Sequence, residues 1–158
     1  MTQIITNNLQ QIIGLGNPTS KFCFNLPTAP VVGELGYDVA QIVDINGNHW
    51  RKIFVIIAKL CDDSDNWQQF RDQRLVSEVY LNFTTELGNA SEVEYLCGKT
   101  HAETFELSKF NWRIVSDDYQ VKTALNTKGQ HLLLTPYLDY RQFPNALIAQ
   151  IKDCLQAV

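Results

Sequence analysis

Three stretches of the chain place apolar residues at the three- and four-residue spacings of an amphipathic helix. These stretches are residues 48–60, 66–87 and 144–155. The first stretch contains the β-branched run Val55–Ile57, which would also suit a strand. Gly88 offers a stop for the second helix, and Pro144 suits the first turn of the third. The pattern therefore predicts three main helices.

Short apolar runs without a clean alternation of polar positions predict four strands. These runs lie at residues 12–13, 93–97, 112–115 and 131–135. Because no face of these runs is regularly polar, we expect the strands to be buried on both sides. A capping box at Thr100–Glu103 predicts a short helix after the second of these strands. Residues 16–36, with three prolines and three glycines, are predicted to form an ordered loop.

Strands that alternate with helices in this way are typical of an α/β protein. We expect a single α/β domain over residues 1–158, folded as a three-layer α/β/α sandwich around a short, mostly parallel sheet. Ligands of such sheets bind beyond the carboxyl ends of the strands. The arrangement would bring together three segments that follow predicted strands, namely residues 14–25, 98–101 and 135–145.

The composition allows a substantial core and excludes a strongly basic nucleic-acid binder. Of the 158 residues, 45% are hydrophobic, and 13 Lys and Arg stand against 17 Asp and Glu, for a net charge of −4. A local basic groove is compatible with this balance, because steering depends on where the charges lie. The acidic total argues against tight DNA binding, since phosphate contacts supply most of the non-specific affinity.

The sequence also bears on location in the cell. The first residues contain no basic region and no long apolar segment, so we expect no signal peptide. The longest apolar run, Ile53–Ala58, has six residues, whereas a membrane-crossing helix needs roughly 20. The four cysteines form no Cys-x-x-Cys pair, and free thiols fit a reducing compartment. We therefore expect a cytoplasmic protein without a membrane partner.

Several common site motifs begin in this sequence and are not completed. Gly14–Gly16 starts like a dinucleotide-binding fingerprint, but Thr19 stands where the third glycine belongs. Gly98–Thr100 ends like a phosphate-binding loop, and Val93 stands where the upstream glycine would be. The three histidines lack the spacing of metal ligands. We therefore expect neither a metal nor a cofactor.

The densest mixture of polar and aromatic side chains follows the last predicted strand, in residues 135–145. Aromatic faces can stack on flat rings, while side-chain amides and a guanidinium can form hydrogen bonds with the polar edges of such rings. After the first strand, Asn17 could position a water molecule or a substrate edge, and Lys99 could approach an anion. Less specific roles fit the same residues: a packed loop at a helix start, an Asn-Pro turn and an exposed lysine.

The order of these segments resembles the uracil-DNA glycosylase-like superfamily, and most nearly its mismatch-specific branch. Gly14-Leu-Gly-Asn-Pro18 is similar to the first motif of that family, and Asn48-His-Trp-Arg-Lys52 is similar to a helix opening. Gly98-Lys-Thr-His-Ala102 is similar to the end of a later strand, and residues 135–141 are loosely similar to the final motif. The resemblance implies a three-layer α/β sandwich with a pocket that accepts a flipped base.

The resemblance also implies roles for individual residues. Asn17 would position the attacking water, and Phe24 would stack on the base. Tyr137 or Thr135 would stabilise the negative charge that develops on the departing base, and Arg141 would contact phosphate. The candidate catalytic residues are Asn17 and Tyr137. The candidate substrate-binding residues are Gly14, Pro18, Phe24, Lys99, Thr135, Asp139, Arg141 and Asn145.

Three functions remain open on the sequence. One is cleavage of an N-glycosidic bond in a nucleotide or in weakly bound DNA, with a nucleobase in the pocket. Another is a non-catalytic module that binds a small ligand or a protein, which the absence of the family's final His- or Asn-Pro-Ser motif supports. The third is oligomerisation through the helix that carries Trp67 and Phe70, although the sequence does not determine the oligomeric state.

Overall fold

A computed structural model of the protein describes residues 4–88 and 90–156. The strands in these residues are β1 (Ile4–Thr6), β2 (Ile12–Leu15), β3 (Phe22–Asn25), β4 (Val79–Asn82), β5 (Val93–Cys97), β6 (Arg113–Ser116), β7 (Val121–Leu125) and β8 (His131–Thr135). The helices are α1 (Val39–Asn46), α2 (Asn48–Cys61), α3 (Trp67–Gln69), α4 (Leu75–Glu78), α5 (Lys99–Ala102) and α6 (Asn145–Gln156). A π-helical turn at Phe70–Arg74 joins α3 to α4.

All eight strands belong to one mixed sheet, in the order β1-β2-β4-β3-β5-β8-β7-β6. The four central strands, β4, β3, β5 and β8, run parallel to one another. On either side, two further strands run antiparallel to their neighbours. Phe24 pairs with Leu81 on one side and with Tyr95 on the other, which defines the register at the centre of the sheet.

The core lies between one face of the central strands and the three longest helices. Alternate residues of a strand share a face, and Phe22, Phe24 and Tyr95 belong to the same buried cluster as the inward residues of α1, α2 and α6. Helix α2 buries nearly all its apolar side chains in this cluster because they recur at three- and four-residue spacings. Burying one large apolar side chain of this kind contributes about 1.5–3 kcal/mol.

On the opposite face, the central strands carry a buried polar cluster, formed by Cys23, Asn25, Asn82 and Glu94. Asn25 Nδ2 donates to Glu94 Oε2 (3.0 Å), and Asn82 Nδ2 donates to Asn25 Oδ1 (2.6 Å). The backbone N–H of Gly88 also donates to Glu94 Oε2, at 2.7 Å. A loop, rather than a helix, therefore covers this part of the sheet.

The predicted three-layer α/β/α sandwich around a short, mostly parallel sheet is wrong. Four of the seven neighbouring strand pairs are antiparallel, so the eight-stranded sheet is mixed. The three longest helices share one core cluster with a single face of the sheet. The prediction failed because it missed four strands, β1, β3, β4 and β7, each of three to five residues. Runs this short cannot display a period that separates a strand from a loop or a helix.

The four predicted strands are all present, and the helix predicted over residues 48–60 is confirmed as α2. By contrast, the helix predicted over residues 66–87 ends at Glu78, and Val79–Asn82 is strand β4. At Val79 the backbone turns to φ −126° and ψ 130°, because this segment pairs with both β2 and β3. Tertiary pairing has overridden the helical spacing of its apolar residues.

Two tyrosine hydroxyls are buried in the core without a hydrogen-bond partner among the described residues. Tyr37 and Tyr95 are both fully buried. Such an orphaned donor costs about 1–3 kcal/mol, because it loses its hydrogen bonds to water on folding.

We expect Tyr95→Phe to raise the free energy of unfolding by about 1 kcal/mol, since it removes the orphaned hydroxyl and keeps the ring that stacks on Phe24. The matched control is Tyr137→Phe, which removes a hydroxyl that has a partner, His49, and should lower stability. Urea unfolding of both variants checks the prediction. A loss of stability in Tyr95→Phe would contradict it.

Candidate functional site

The predicted residues of the first segment form a turn at the end of β2. Asn17 is exposed, and its Oδ1 accepts from the backbone N–H and the hydroxyl of Thr19, at 3.0 and 2.8 Å. The same turn holds Pro18, which is half-buried. In β2, a Cβ at Gly14 would overlap the side chain of Tyr80, so Gly14 leaves room for that ring against the strand. The side chain of Asn17 thus closes a local turn.

Phe24 lies in the core. It has no exposed surface, and its ring stacks on Tyr95 with a centroid distance of 4.3 Å and an interplanar angle of 1°. This stacked pair joins two adjacent parallel strands, β3 and β5. The ring that the resemblance assigns to base stacking is therefore already stacked on another side chain.

The direction of β2 separates the predicted segments. Because β2 is antiparallel to β4, its carboxyl end lies where the parallel strands begin. Lys99 and Tyr137 instead follow the carboxyl ends of β5 and β8. Strand β5 has five residues, so the two ends of the sheet are roughly 16 Å apart at 3.3 Å per residue. The structure does not bring Asn17 together with Lys99 and Tyr137.

Tyr137 faces the start of α2. Its hydroxyl lies 2.9 Å from His49 Nε2, and the two rings stack at a centroid distance of 5.5 Å. Burial, with smaller contributions from Cys97 and Asp139, raises the pKa of Tyr137 to about 12. The phenol is therefore protonated at neutral pH and can donate to the imidazole. His49 is a partner of Tyr137 that the sequence analysis did not identify.

The rest of the last predicted segment is divided between a turn and a helix start. Asp139 Oδ1 accepts from the backbone N–H of Arg141 at 2.9 Å, and the side chain of Arg141 is exposed. At the start of α6, Asn145 Oδ1 accepts from Lys59 Nζ at 3.0 Å. Thr135 is buried, and its hydroxyl donates to the carbonyl of Pro136 at 2.9 Å.

A cleft of about 980 Å³ opens at the carboxyl ends of β5 and β8. Its walls are the segment from Lys99 to Ser108, strands β6 and β7 with their connection, and the chain that leaves β8. Of the predicted residues, Lys99 and Thr135 line this cleft. We call it the β5–β8 cleft.

The lining of the β5–β8 cleft combines apolar and charged side chains. The apolar part includes Phe105, Leu107, Ile114, Leu134 and Pro136. The charged residues are the acids Glu103, Glu106, Asp117 and Asp118 and the bases Lys99 and Lys122. Hydrogen bonds from the Ser108 hydroxyl and backbone N–H lower the pKa of Glu106, which is ionised near neutral pH. Acceptor carboxylates therefore outnumber lysines around the opening.

The buried thiols are poorly suited to nucleophilic chemistry. Burial raises the pKa of Cys97 to about 12, and it also raises the pKa of Cys23 and Cys61. Because the thiolate is the nucleophile, these cysteines are inert near neutral pH. Desolvation likewise lowers the pKa of His101, which packs edge-on against Phe105 at 5.1 Å.

Most of the cleft lining was missed by sequence reasoning. Residues 103–108 and 114–122 contribute more of it than the predicted residues do. The available signal in the sequence is the acidic pair Asp117–Asp118. In the structure these acids occupy the connection between β6 and β7, a hairpin that a single predicted strand could not reveal.

A family model described as a family of unknown function (DUF6942) matches residues 13–156, and the chain belongs to this family. No curated protein and no solved structure matches the chain. Within residues 4–88 and 90–156, no helix has the length and apolar character needed to cross a membrane. The same residues contain no group of three or more His, Cys, Asp and Glu side chains placed to hold a metal ion.

Proposed function

We propose that the protein binds a small ligand of the nucleobase or nucleoside class in the β5–β8 cleft without cleaving it. The observation that supports this proposal is the cleft itself, whose volume of about 980 Å³ is sufficient for such a molecule. It lies beyond the carboxyl ends of parallel strands β5 and β8, a common position for ligands.

The lining favours a flat ring that carries an amino group. Side chains such as Phe105 and Leu134 offer apolar contacts for ring faces. Carboxylates accept hydrogen bonds from exocyclic amines, as Asp and Glu do from cytosine N4. Asp117 and Asp118 therefore suit adenine or cytosine better than uracil, which has only carbonyl oxygens and ring N–H groups at its edge.

The proposal is limited to binding because of the environment of the acids. Glu103, Glu106, Asp117 and Asp118 are all exposed, whereas a tuned general acid or base is usually desolvated or paired in a pocket. N-glycosidic cleavage, which the resemblance implies, would rest on Asn17 and Tyr137. Those two residues lie at opposite ends of the parallel strands.

Replacing Ile114 with glutamate should weaken ligand binding at least tenfold. The new charge would replace an apolar side chain of the cleft, whose lining already contains four carboxylates that repel a further negative charge. Ile114 is 64% exposed, so the change should leave the fold intact. Val31→Glu is the matched control, because Val31 is also 64% exposed and does not line the cleft.

Calorimetric titration with adenosine, cytidine and uridine provides the measurement. We expect adenosine or cytidine to bind the wild type and the Val31→Glu variant, and to bind Ile114→Glu weakly. Equal binding to both variants would place the ligand elsewhere. Release of free base from a uracil-containing oligonucleotide, abolished by Asn17→Ala, would replace the proposal with the catalytic alternative.

A further inference from the structure

A basic surface that contains two aromatic rings lies outside the β5–β8 cleft. Lys59 Nζ and the guanidinium of Arg71 lie over the ring of Trp67, at 5.2 and 5.3 Å from its centroid. Lys52 Nζ lies 5.6 Å from the ring centroid of Tyr140, which is 40% exposed. We call these five residues the basic aromatic patch.

The residues of the basic aromatic patch are held in position by helix α2 and by packing against the core. Lys52 and Lys59 are seven residues apart on α2, which places them on one side of the helix roughly 10.5 Å apart along its axis. Trp67 is half-buried and packs against the hydrophobic core. Lys59 Nζ is held further by Asn145 Oδ1, at 3.0 Å. The positions of the ammonium groups are thus set by neighbouring side chains.

The two lysines carry charge that is not neutralised within the described part of the chain. Among the described residues, the ion pairs within 4.0 Å join Arg71 to Asp72 and Arg74 to Asp63 and Glu78, and none of them involves Lys52 or Lys59. The acid nearest to Tyr140 in sequence is Asp139, which is half-buried and accepts a hydrogen bond from the backbone N–H of Arg141. The patch is therefore cationic on a chain whose net charge is −4.

We propose that the basic aromatic patch docks an acidic peptide segment of a partner protein. The complementary charges are the two lysines, whose backbone positions lie about 10 Å apart along α2, and a pair of carboxylates at a similar spacing. In a polyproline II conformation, which has three residues per turn and a rise of roughly 3.1 Å per residue, acidic residues three positions apart lie on one side of the peptide at about that spacing. Nucleic acid is the less favoured occupant, because base stacking on a single strand needs free aromatic faces. The rings of Trp67 and Tyr140 already have their own cations over them.

The test uses the acetylated and amidated peptide Gly-Gly-Glu-Gly-Gly-Glu-Gly-Gly, with a second peptide whose two glutamates are adjacent as the spacing control. Binding is followed on ¹⁵N-labelled protein through the indole N–H of Trp67, assigned by its loss in Trp67→Phe. We expect a saturable shift with the spaced peptide, a smaller one with the adjacent peptide, and a loss of both at high ionic strength.

Removing both patch lysines in Lys52→Gln/Lys59→Gln should weaken binding of the spaced peptide about five- to tenfold, as expected for two ion pairs at the protein surface. Lys109→Gln/Lys128→Gln is the matched control, because both of its lysines are exposed and lie outside the patch. Ile114→Glu should leave this binding unchanged, which separates a failure here from a failure of the cleft proposal.

Three results would overturn the proposal. The first is a Trp67 indole that does not move at millimolar concentrations of the spaced peptide. The second is an equal loss of binding in the two double-lysine variants. The third is tighter binding of an octathymidylate or of phosphatidylserine vesicles than of the peptide, which would assign the patch to a nucleic acid or a lipid surface.

Discussion

Glu94→Ala is expected to lower the free energy of unfolding by about 3 kcal/mol. Glu94 is only 2% exposed, and its Oε2 accepts from Asn25 Nδ2 and from the backbone N–H of Gly88. Alanine would take this acceptor from the buried amide of Asn25, at about 1–3 kcal/mol, and would remove the bond to the exposed Gly88, at about 1 kcal/mol. The loss should also release the loop around Gly88 from the sheet, because Glu94 joins that loop to β5.

Two further variants test whether the loss of stability comes from the hydrogen bonds of Glu94. Glu94→Gln keeps the size of the side chain and one carbonyl oxygen, so it should cost less than Glu94→Ala. Glu92→Ala, two residues earlier and exposed, should change stability by no more than about 0.5 kcal/mol. Urea unfolding measures the three free energies, and hydrogen exchange at the Gly88 amide reports the local bond. A protected Gly88 amide in Glu94→Ala would refute the proposed link between loop and sheet.

Gly16→Ala is expected to destabilise the protein by about 3 kcal/mol. Gly16 has φ +100°, a conformation that costs L-residues roughly 1–2 kcal/mol. A Cβ at this position would also lie 2.7 Å from the backbone oxygen of Val79 and 3.3 Å from Tyr37 Cε2. Overpacking of this kind adds about 1–3 kcal/mol, because a backbone atom cannot move aside cheaply.

The control for this prediction is Gly129→Ala. Gly129 has φ +79°, but a Cβ there would meet nothing within 4 Å, so only the conformational cost of about 1–2 kcal/mol applies. Comparing the urea midpoints of the two variants isolates the steric contribution of the contact with β4. If both substitutions cost the same, Gly16 is required for its backbone angle alone.

Sequence patterns identified those elements whose apolar pattern extends over enough residues to distinguish a helix or a strand from a loop. Helix α2 follows from the recurrence of Trp50, Ile53, Ile57 and Leu60, and all four are buried. Strands β5 and β8 follow from their apolar runs. Of the three segments predicted to meet, the two that follow these strands both line the β5–β8 cleft, through Lys99 and Thr135. In these cases local and tertiary preferences agree, so the local pattern is informative.

The candidate site could be predicted only in part. The segments that follow two parallel strands lie at the same end of the sheet, and the prediction depends on that geometry. Asn17 also follows a strand, but β2 runs antiparallel to β4, and no local pattern around Gly14–Asn17 encodes that direction. Phe24 belongs to strand β3, which lies within the residues predicted to form a loop, so the sequence pattern does not predict its stacking on Tyr95.

The amino-acid sequence by itself determined helices α2 and α6, the buried strands β5 and β8, and the acidic charge of this protein. Tertiary structure alone decided the direction of β2, the conversion of Val79–Asn82 from a helical pattern to strand β4, and the position of the cleft against the β6–β7 hairpin. The physical reason is the separation along the chain of the residues that interact. Helical periodicity depends on neighbours within a few residues, whereas strand direction and pairing depend on contacts between segments far apart in the chain.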